Sequence, residues 1–442
     1  MTPETTTAAV LAPPVLGAPP APRVPVPARW TMANGLRVVA APKPGMPQVV
    51  LRLVLPAGSA ADPAEYPGAA HLVGHLLTEG TATMTAEALN ARLDLLGAAV
   101  HPHVGHDFAE IEAVFLSETL AEGIALLAEV ALRPSFPGHE VERVRAESLD
   151  ALVARLDEPA NLADDRAMLE VFGPHHPYGH PSFGTEAGIR AVPREALVAL
   201  HAARYRPGGA FVVAAGDFET AELRALLDAA FGEWTGEAAP VPYPATPPTP
   251  AHAGRTLVQR WPDAAQSEIR MAGPGLTRAS ADWVTAAVAN FVLGGSTITG
   301  RLGANLREDK GWTYGARSSF TAGLAPGGFV ADTAVDVEVT AAAVDEMLRE
   351  LRRMADEPVE EGELRRAKDA LVLSIPRAFE TPSGIAGRLA TLEAYDLPRD
   401  YWERFPAVVE AVTPEDVRRI AREHFDPERL VRVVVGGGMG ES

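Results

Sequence analysis

The 442-residue chain contains no cysteine, so no disulfide staples it and no thiolate is present to act as nucleophile or metal ligand. That absence leaves the compartment open, because cytosolic and periplasmic proteins alike can do without the residue. No stretch reaches the ~18 consecutive apolar residues of a membrane span, which predicts a soluble chain. A basic n-region followed by an apolar h-region is also missing near Met1, so no signal peptide is visible. Cytoplasmic location is the default expectation, and a periplasmic one requires a leader removed ahead of this numbering. Positive charge is in the minority, 39 Lys and Arg against 58 Asp and Glu for a net charge of −19. This argues against nucleic acid and anionic membranes as partners.

With 47% hydrophobic residues the chain can fill two cores, and its length suits two domains of about 200 residues each. Residues 1–28 are rich in Ala and Pro, including Pro13-Pro14 and Pro19-Pro20, and are expected to be extended or disordered. From Trp30 onward strands are expected at 36–40 and 49–55, around the turn at Pro44-Gly45. Thr85 should cap a helix over Ala86 to Leu96 that Gly97 stops. Phe108 to Leu116 alternates like a strand, Ser117 should cap a helix reaching about Leu132, and Glu140 to Leu156 reads as a long helix. His175 to His180 falls in a Gly/Pro-rich loop.

An internal repeat organises the rest. Val192-Pro193-Arg194-Glu195, a helix to Tyr205, and the strand Phe211 to Gly216 reappear as Val412-Thr413-Pro414-Glu415, a helix to Phe425, and Val431 to Gly436. Matched positions differ by a constant 220, as in Glu195 with Glu415 and Gly216 with Gly436. An unbroken offset of this kind indicates a duplicated domain. The expected division is 29–235 and 255–442, joined by a semi-rigid Pro-rich linker over 236–254. Each copy suits an α+β layer, an antiparallel-rich sheet with helices packed on one face.

The chemistry-bearing stretch runs from Gly68 to Thr81. It places His71 and His75 one helical turn apart, as in the inverted zinc motif H-x-x-E-H, in which a carboxylate between the histidines is the general base. Here that position is Gly74. Two histidines at this spacing are also compatible with ordinary packed or solvated helix residues. With its small-residue lead-in and its Gly80-Thr81 close, the stretch resembles the insulinase/pitrilysin family of zinc peptidases, in its short, processing-peptidase-like form. The resemblance covers nearly everything from Trp30 to Gly438 and implies two similar domains. It also implies a third zinc ligand, a glutamate on a later helix, whose place Ala151 holds here. Alanine cannot ligate a metal, and a catalytic zinc needs three protein ligands plus water. No metal is therefore expected at the vestigial His71 and His75. Glu147, one turn before Ala151, is a conceivable shifted ligand, and His101, His103 and His106 could supply a replacement site.

In the second copy Phe291 falls opposite His71 and Gly295 opposite His75. The Gly-rich run from Gly294 lacks G-x-x-x-x-G-K-[ST], which speaks against a phosphate cradle. It is similar instead to the family's glycine-rich loop, followed by Leu306-Arg307-Glu308 and Gly311-Trp312-Thr313-Tyr314. The resemblance implies that Gly294 and Gly295 border substrate, and that Arg307 and Tyr314 reach substrate at a zinc site in the opposing half of a clamshell. The alternative is that Arg307 makes a surface ion pair and Tyr314 packs in a core. Taken together, the chain is expected to be a substrate-contacting, zinc-less subunit of a two-chain zinc peptidase acting on peptides or unfolded polypeptides. Its expected partner is a homologous zinc-bearing subunit with intact H-x-x-E-H. The rival readings are a structural or chaperone-like family member, and a metal hydrolase with a rebuilt site.

Overall fold

The computed structural model describes residues 23–244 and 248–438. Among these described residues, eleven strands form two sheets. The first holds β1 (Ala28–Thr31), β2 (Arg37–Pro42), β3 (Gln48–Leu55), β4 (Ala99–Val104), β5 (Ala109–Leu116) and β6 (Phe211–Gly216) in the order β1-β2-β6-β3-β5-β4. The second holds β7 (Thr256–Arg260), β8 (Gln266–Pro274), β9 (Ala316–Phe320), β10 (Gly328–Asp336) and β11 (Val431–Gly436) in the order β7-β11-β8-β10-β9. Without β1 the two orders are the same. In each sheet the last strand pairs parallel with the first of the shared five and antiparallel with the next. The repeat is equally visible in the helices, since Arg194–Arg204 and Pro414–His424 start 220 residues apart. The chain is an α+β protein of two similar halves, as the offset predicts.

Side chains of β2 and β3 divide between two cores. Val38, Ala40, Val49, Leu51 and Leu53 face helices of their own half, whereas Val39, Ala41, Val50 and Val54 face the other way. That second face is covered by the helix Pro382–Ala394 from the second half, through Ile385, Ala386 and Leu389. Reciprocally, the helix Pro159–Phe172 of the first half lies on the second sheet, setting Ala163, Ala167 and Val171 against Ala272, Val431 and Val433. Each half thus packs its own helices on one sheet face and receives one helix from the other half on the opposite face. The small residues let these helices approach closely, and burial of both faces explains why β6 reads as an unbroken apolar run.

Local expectations hold with small adjustments. Thr85 caps Ala86–Leu96, accepting from the Ala88 amide, and Gly97 closes it in a left-handed conformation. Ser117 does not cap: a short 3-10 turn over Ser117–Thr119 precedes the helix Leu120–Leu132, and the Ser117 hydroxyl is buried without a partner among the described residues. The long helix begins at Gly138, two residues before Glu140, and ends at Leu156 as expected. The Ala/Pro-rich segment lies outside the described residues as far as residue 22, as do 245–247 of the Pro-rich stretch. Among the described residues no helix is long and apolar enough to cross a membrane.

Candidate functional site

The helix Ala69–Leu76 opens at Gly68, whose φ of 105° only glycine adopts without strain. Its first amides are satisfied from a distance: Asp62 accepts from the Gly68 N–H through Oδ2 and from the Ala70 N–H through Oδ1, both at 2.7 Å. Burial pushes the Asp62 carboxyl up to about 7 against the pull of those two N–H groups. Leu72, Val73 and Leu76 pin one face of the helix in the first core. His71 and His75 therefore share the opposite side, with ring centroids 4.4 Å apart. Burial, and then the neighbouring His75 and His103, hold His71 down to about 4. His75 is also lowered by burial, while Glu79 and Glu147 draw it upward.

A metal-binding set is not completed around this pair. Gly74 is buried, and a Cβ there would lie 2.6 Å from Cγ2 of Val104, at the end of β4. A carboxylate at that position requires Val104 to move. Ala151 is exposed and offers only a methyl group. The carboxylates acting on His75 are engaged by Arg143: its Nη1 donates to both oxygens of Glu147, at 2.8 and 2.9 Å, its Nε donates to Glu140 at 2.6 Å, and it forms a close ion pair with Glu79. His101 and His103 share a face of β4, while His106 lies beyond the strand with Nδ1 3.2 Å from Ser59 Oγ and its ring against Tyr178. Among the described residues no three His, Asp or Glu side chains are grouped to hold a metal ion. The donors around His71 and His75 do not fit a catalytic zinc.

The second half keeps the place and changes its chemistry. Positions 291, 295 and 371 stand 220 residues after 71, 75 and 151, and Phe291, Gly295 and Leu371 together line one groove of about 240 Å³ beside β9. Trp283 and Phe320 are the large aromatic residues among its other walls. Gly294 faces β9, and a Cβ there would lie 2.6 Å from the Ser318 nitrogen, so glycine permits this close approach.

Arg307 and Tyr314 follow on a segment anchored by its neighbours. Leu306 is fully buried, and Asn305 Nδ2 donates to Glu350 at 2.7 Å and to Glu346 at 2.9 Å. Arg307 is left on the outer side, its nearest carboxylate that of Glu308 at 3.4 Å. Gly311 turns the chain with φ of 66°, Thr313 hydrogen-bonds the Gly315 carbonyl, and Tyr314 stands 94% exposed. Tyr314 is not a core residue. A cleft of about 740 Å³ is lined by Asp62, His175 and His180 among others, and by none of His71, His75, Arg307 or Tyr314.

Sequence reasoning missed Asp62, Val104 and Arg143. The Arg143/Glu147 pair has the i,i+4 spacing of a helix ion pair and was open to detection. Asp62 and Val104 carried no such signal, because their partners are set by tertiary contact.

A two-sheet chain with a duplicated α+β unit, and a helix bearing two histidines where an inverted zinc motif would stand, defines a metallopeptidase-like protein. The chain belongs to the insulinase (M16) peptidase family: residues 37–171 match its model "Insulinase (Peptidase family M16)" and residues 191–371 its "Peptidase M16 inactive domain". It is 28% identical to an uncharacterized zinc protease of Mycobacterium leprae, over 89% of this chain and 88% of that one. It is 24% identical to the mitochondrial-processing peptidase subunit beta of Blastocladiella emersonii, over 92% of this chain and 87% of that one. Among solved structures it is similar to a peptidase M16 inactive domain from Pseudomonas fluorescens, with a TM-score of 0.87, 26% identity, and coverage of 94% and 99%.

Proposed function

We propose that this chain is the substrate-contacting, zinc-less subunit of a two-chain M16 peptidase acting on peptides or unfolded polypeptides. The observation that carries the reading is the contrast between its two halves. The first lacks the base at Gly74 and the third ligand at Ala151, while the second presents an exposed Tyr314 and a half-buried Arg307 from a rigidly anchored segment. The placement of Ala151 is supported by the groove in the second half, where the residues 220 positions after His71, His75 and Ala151 converge.

In this reading the zinc belongs to a homologous partner with intact H-x-x-E-H, whose motif would hold it and where it would supply the activation of a water for attack. Arg307 grips a substrate carbonyl or carboxylate through its fork, and the Tyr314 hydroxyl donates to the oxyanion of the tetrahedral intermediate. Gly294 and Gly295 border the path of the substrate.

The test is reconstitution of the purified chain with an M16 homologue that carries an intact zinc motif, followed by sizing and a quenched-peptide assay. The expected result is a hetero-oligomer that cleaves peptides in a chelator-sensitive way, with this chain inert by itself. Chelator-sensitive turnover by this chain alone, with one tightly held zinc, would overturn the reading. An assembled pair indifferent to changes at Arg307 and Tyr314 would make the chain a structural subunit.

A further inference from the structure

Three arginines are buried to within a tenth of full exclusion among the described residues: Arg270, Arg278 and Arg301. Arg270 is paired with Asp164 and Glu268, and Arg301 is paired with Glu363. Arg278, 6% exposed in the loop after β8, has no carboxylate partner among the described residues. Its guanidinium sits between the rings of Trp283 and Tyr401, 5.0 and 5.1 Å from their centroids, and Nη2 donates to the Tyr401 hydroxyl at 3.3 Å. Nη1 is buried and finds no hydrogen-bond partner among the described residues.

A second cation adjoins the first. Tyr401 stacks edge-on against Trp402 at 4.9 Å, and the Trp402 ring carries the Arg388 guanidinium at 4.7 Å. Arg388 also lacks a carboxylate partner among the described residues, and burial, followed by the charge of Arg278, pushes it below its ordinary value. Asp107 is a carboxylate near Tyr395, while Asp282 and Asp400, beside Trp283 and Tyr401, pair with Arg419 and Arg404. Each oxygen of Asp107 accepts a hydrogen bond, Oδ1 from the Tyr178 hydroxyl at 2.6 Å and Oδ2 from the Leu324 amide at 2.9 Å.

Two neighbouring guanidinium groups with no carboxylate in ion-pair contact among the described residues are unexpected in a chain of net charge −19. An unpaired buried cation is costly, and stacking on aromatic faces offsets only part of that cost. Arg388, Tyr395 and Tyr401 are only half-buried, so solvent reaches the rim of the cluster.

We propose that Arg278 and Arg388 form a binding site for a single oxyanion, a carboxylate or a phosphate, walled by Trp283, Tyr401 and Trp402. A guanidinium fork matches the paired oxygens of either group, and the free Nη1 of Arg278 supplies the donor that such an ion would satisfy. The site involves none of the residues assigned to zinc or to substrate above.

The experiment is calorimetry and thermal unfolding of the full chain in phosphate, acetate and chloride at equal ionic strength, together with a short peptide bearing a free or an amidated C-terminus. Saturable binding of phosphate or acetate, with a rise in Tm over chloride, is the expected result. Binding of phosphate alone identifies a phosphate group as the ligand. Binding of acetate and the free peptide, but not the amide, identifies a terminal carboxylate. Arg388→Met should weaken binding roughly tenfold or more. Arg278→Met should do the same where it folds, and Arg399→Met, an exposed charge nearby, should leave binding unchanged. The proposal is overturned if the wild-type chain shows no saturable preference over chloride, or if a folded Arg388→Met variant binds as tightly as the parent.

Discussion

Gly74 and Val104 are in steric register: any Cβ at position 74 falls 2.6 Å from the Val104 Cγ2, so the strand β4 occupies the room that a residue at the base position would need. The loss of the carboxylate is thereby built into the packing of the first core. Gly74→Glu should destabilise the chain by about 1–3 kcal/mol through overpacking, even though it removes a helical glycine. Val104→Ala in the Gly74→Glu background should recover part of that loss. Urea denaturation of the parent, the single variants and the double variant measures it, and a Gly74→Glu chain as stable as the parent would show that Val104 yields freely.

Restoring the third ligand is a separate matter from restoring the base. Ala151→Glu should create measurable zinc affinity with His71 and His75, and Gly74→Glu alone should not. Arg143 engages Glu79 and Glu147 beside that place and competes for the new carboxylate. Arg143→Leu added to Ala151→Glu should tighten zinc by about 10-fold or more. Calorimetric titration decides, and a folded Ala151→Glu chain with no more affinity than the parent would place the lost ligand elsewhere.

Tyr314 is 94% exposed, so Tyr314→Phe should leave Tm unchanged. In a reconstituted, active pair it should lower kcat by about 10²–10³, the usual cost of removing one oxyanion donor. Arg307→Ala should mainly raise KM, if the fork holds substrate in the ground state as well as in the transition state. Steady-state kinetics beside light scattering of the assembled pair separates these effects from faulty assembly.

His201 gives the fold a defined acid sensitivity. Its Nε2 lies 2.9 Å from the Ala131 carbonyl and its ring stacks on Tyr205 at 4.4 Å. Burial holds the imidazole down to about 4. An unfolded histidine protonates near pH ~6.5, so the unfolded state takes up a proton first as the pH falls. His201's contribution to stability is then intact above pH ~6.5 and is lost on the way down to about 4, up to about 3 kcal/mol. His201→Gln keeps an N–H donor without the titration. The stability difference between wild type and variant, followed by urea denaturation from pH 7 to pH 4, should move against the wild type by about that amount.

The duplication was legible because the 220-residue offset acts on residues with local meaning: Pro at a helix start, an apolar strand, a closing glycine. Thr85 and Gly97 were legible for the same reason, each acting within one turn of its own helix. Ser117 misled because a residue of good capping type preceded a 3-10 turn instead of the helix itself. The helices Pro159–Phe172 and Pro382–Ala394 looked like any others, since nothing in an apolar stripe says which sheet it will cover.

The sequence by itself determined the two-fold α+β plan, the histidine pair without its base, and the absence of a carboxylate at position 151, because these depend on residue type at a given place in a repeat. Only the tertiary structure decided that Val104 fills the space beside Gly74, that Arg143 reaches across to Glu79, and that Arg278 and Arg388 gather against the rings of Trp283, Tyr401 and Trp402 without a carboxylate partner among the described residues. Each of these joins side chains from separate elements, and the distances between them are set by how helices and sheets pack, which no local pattern records.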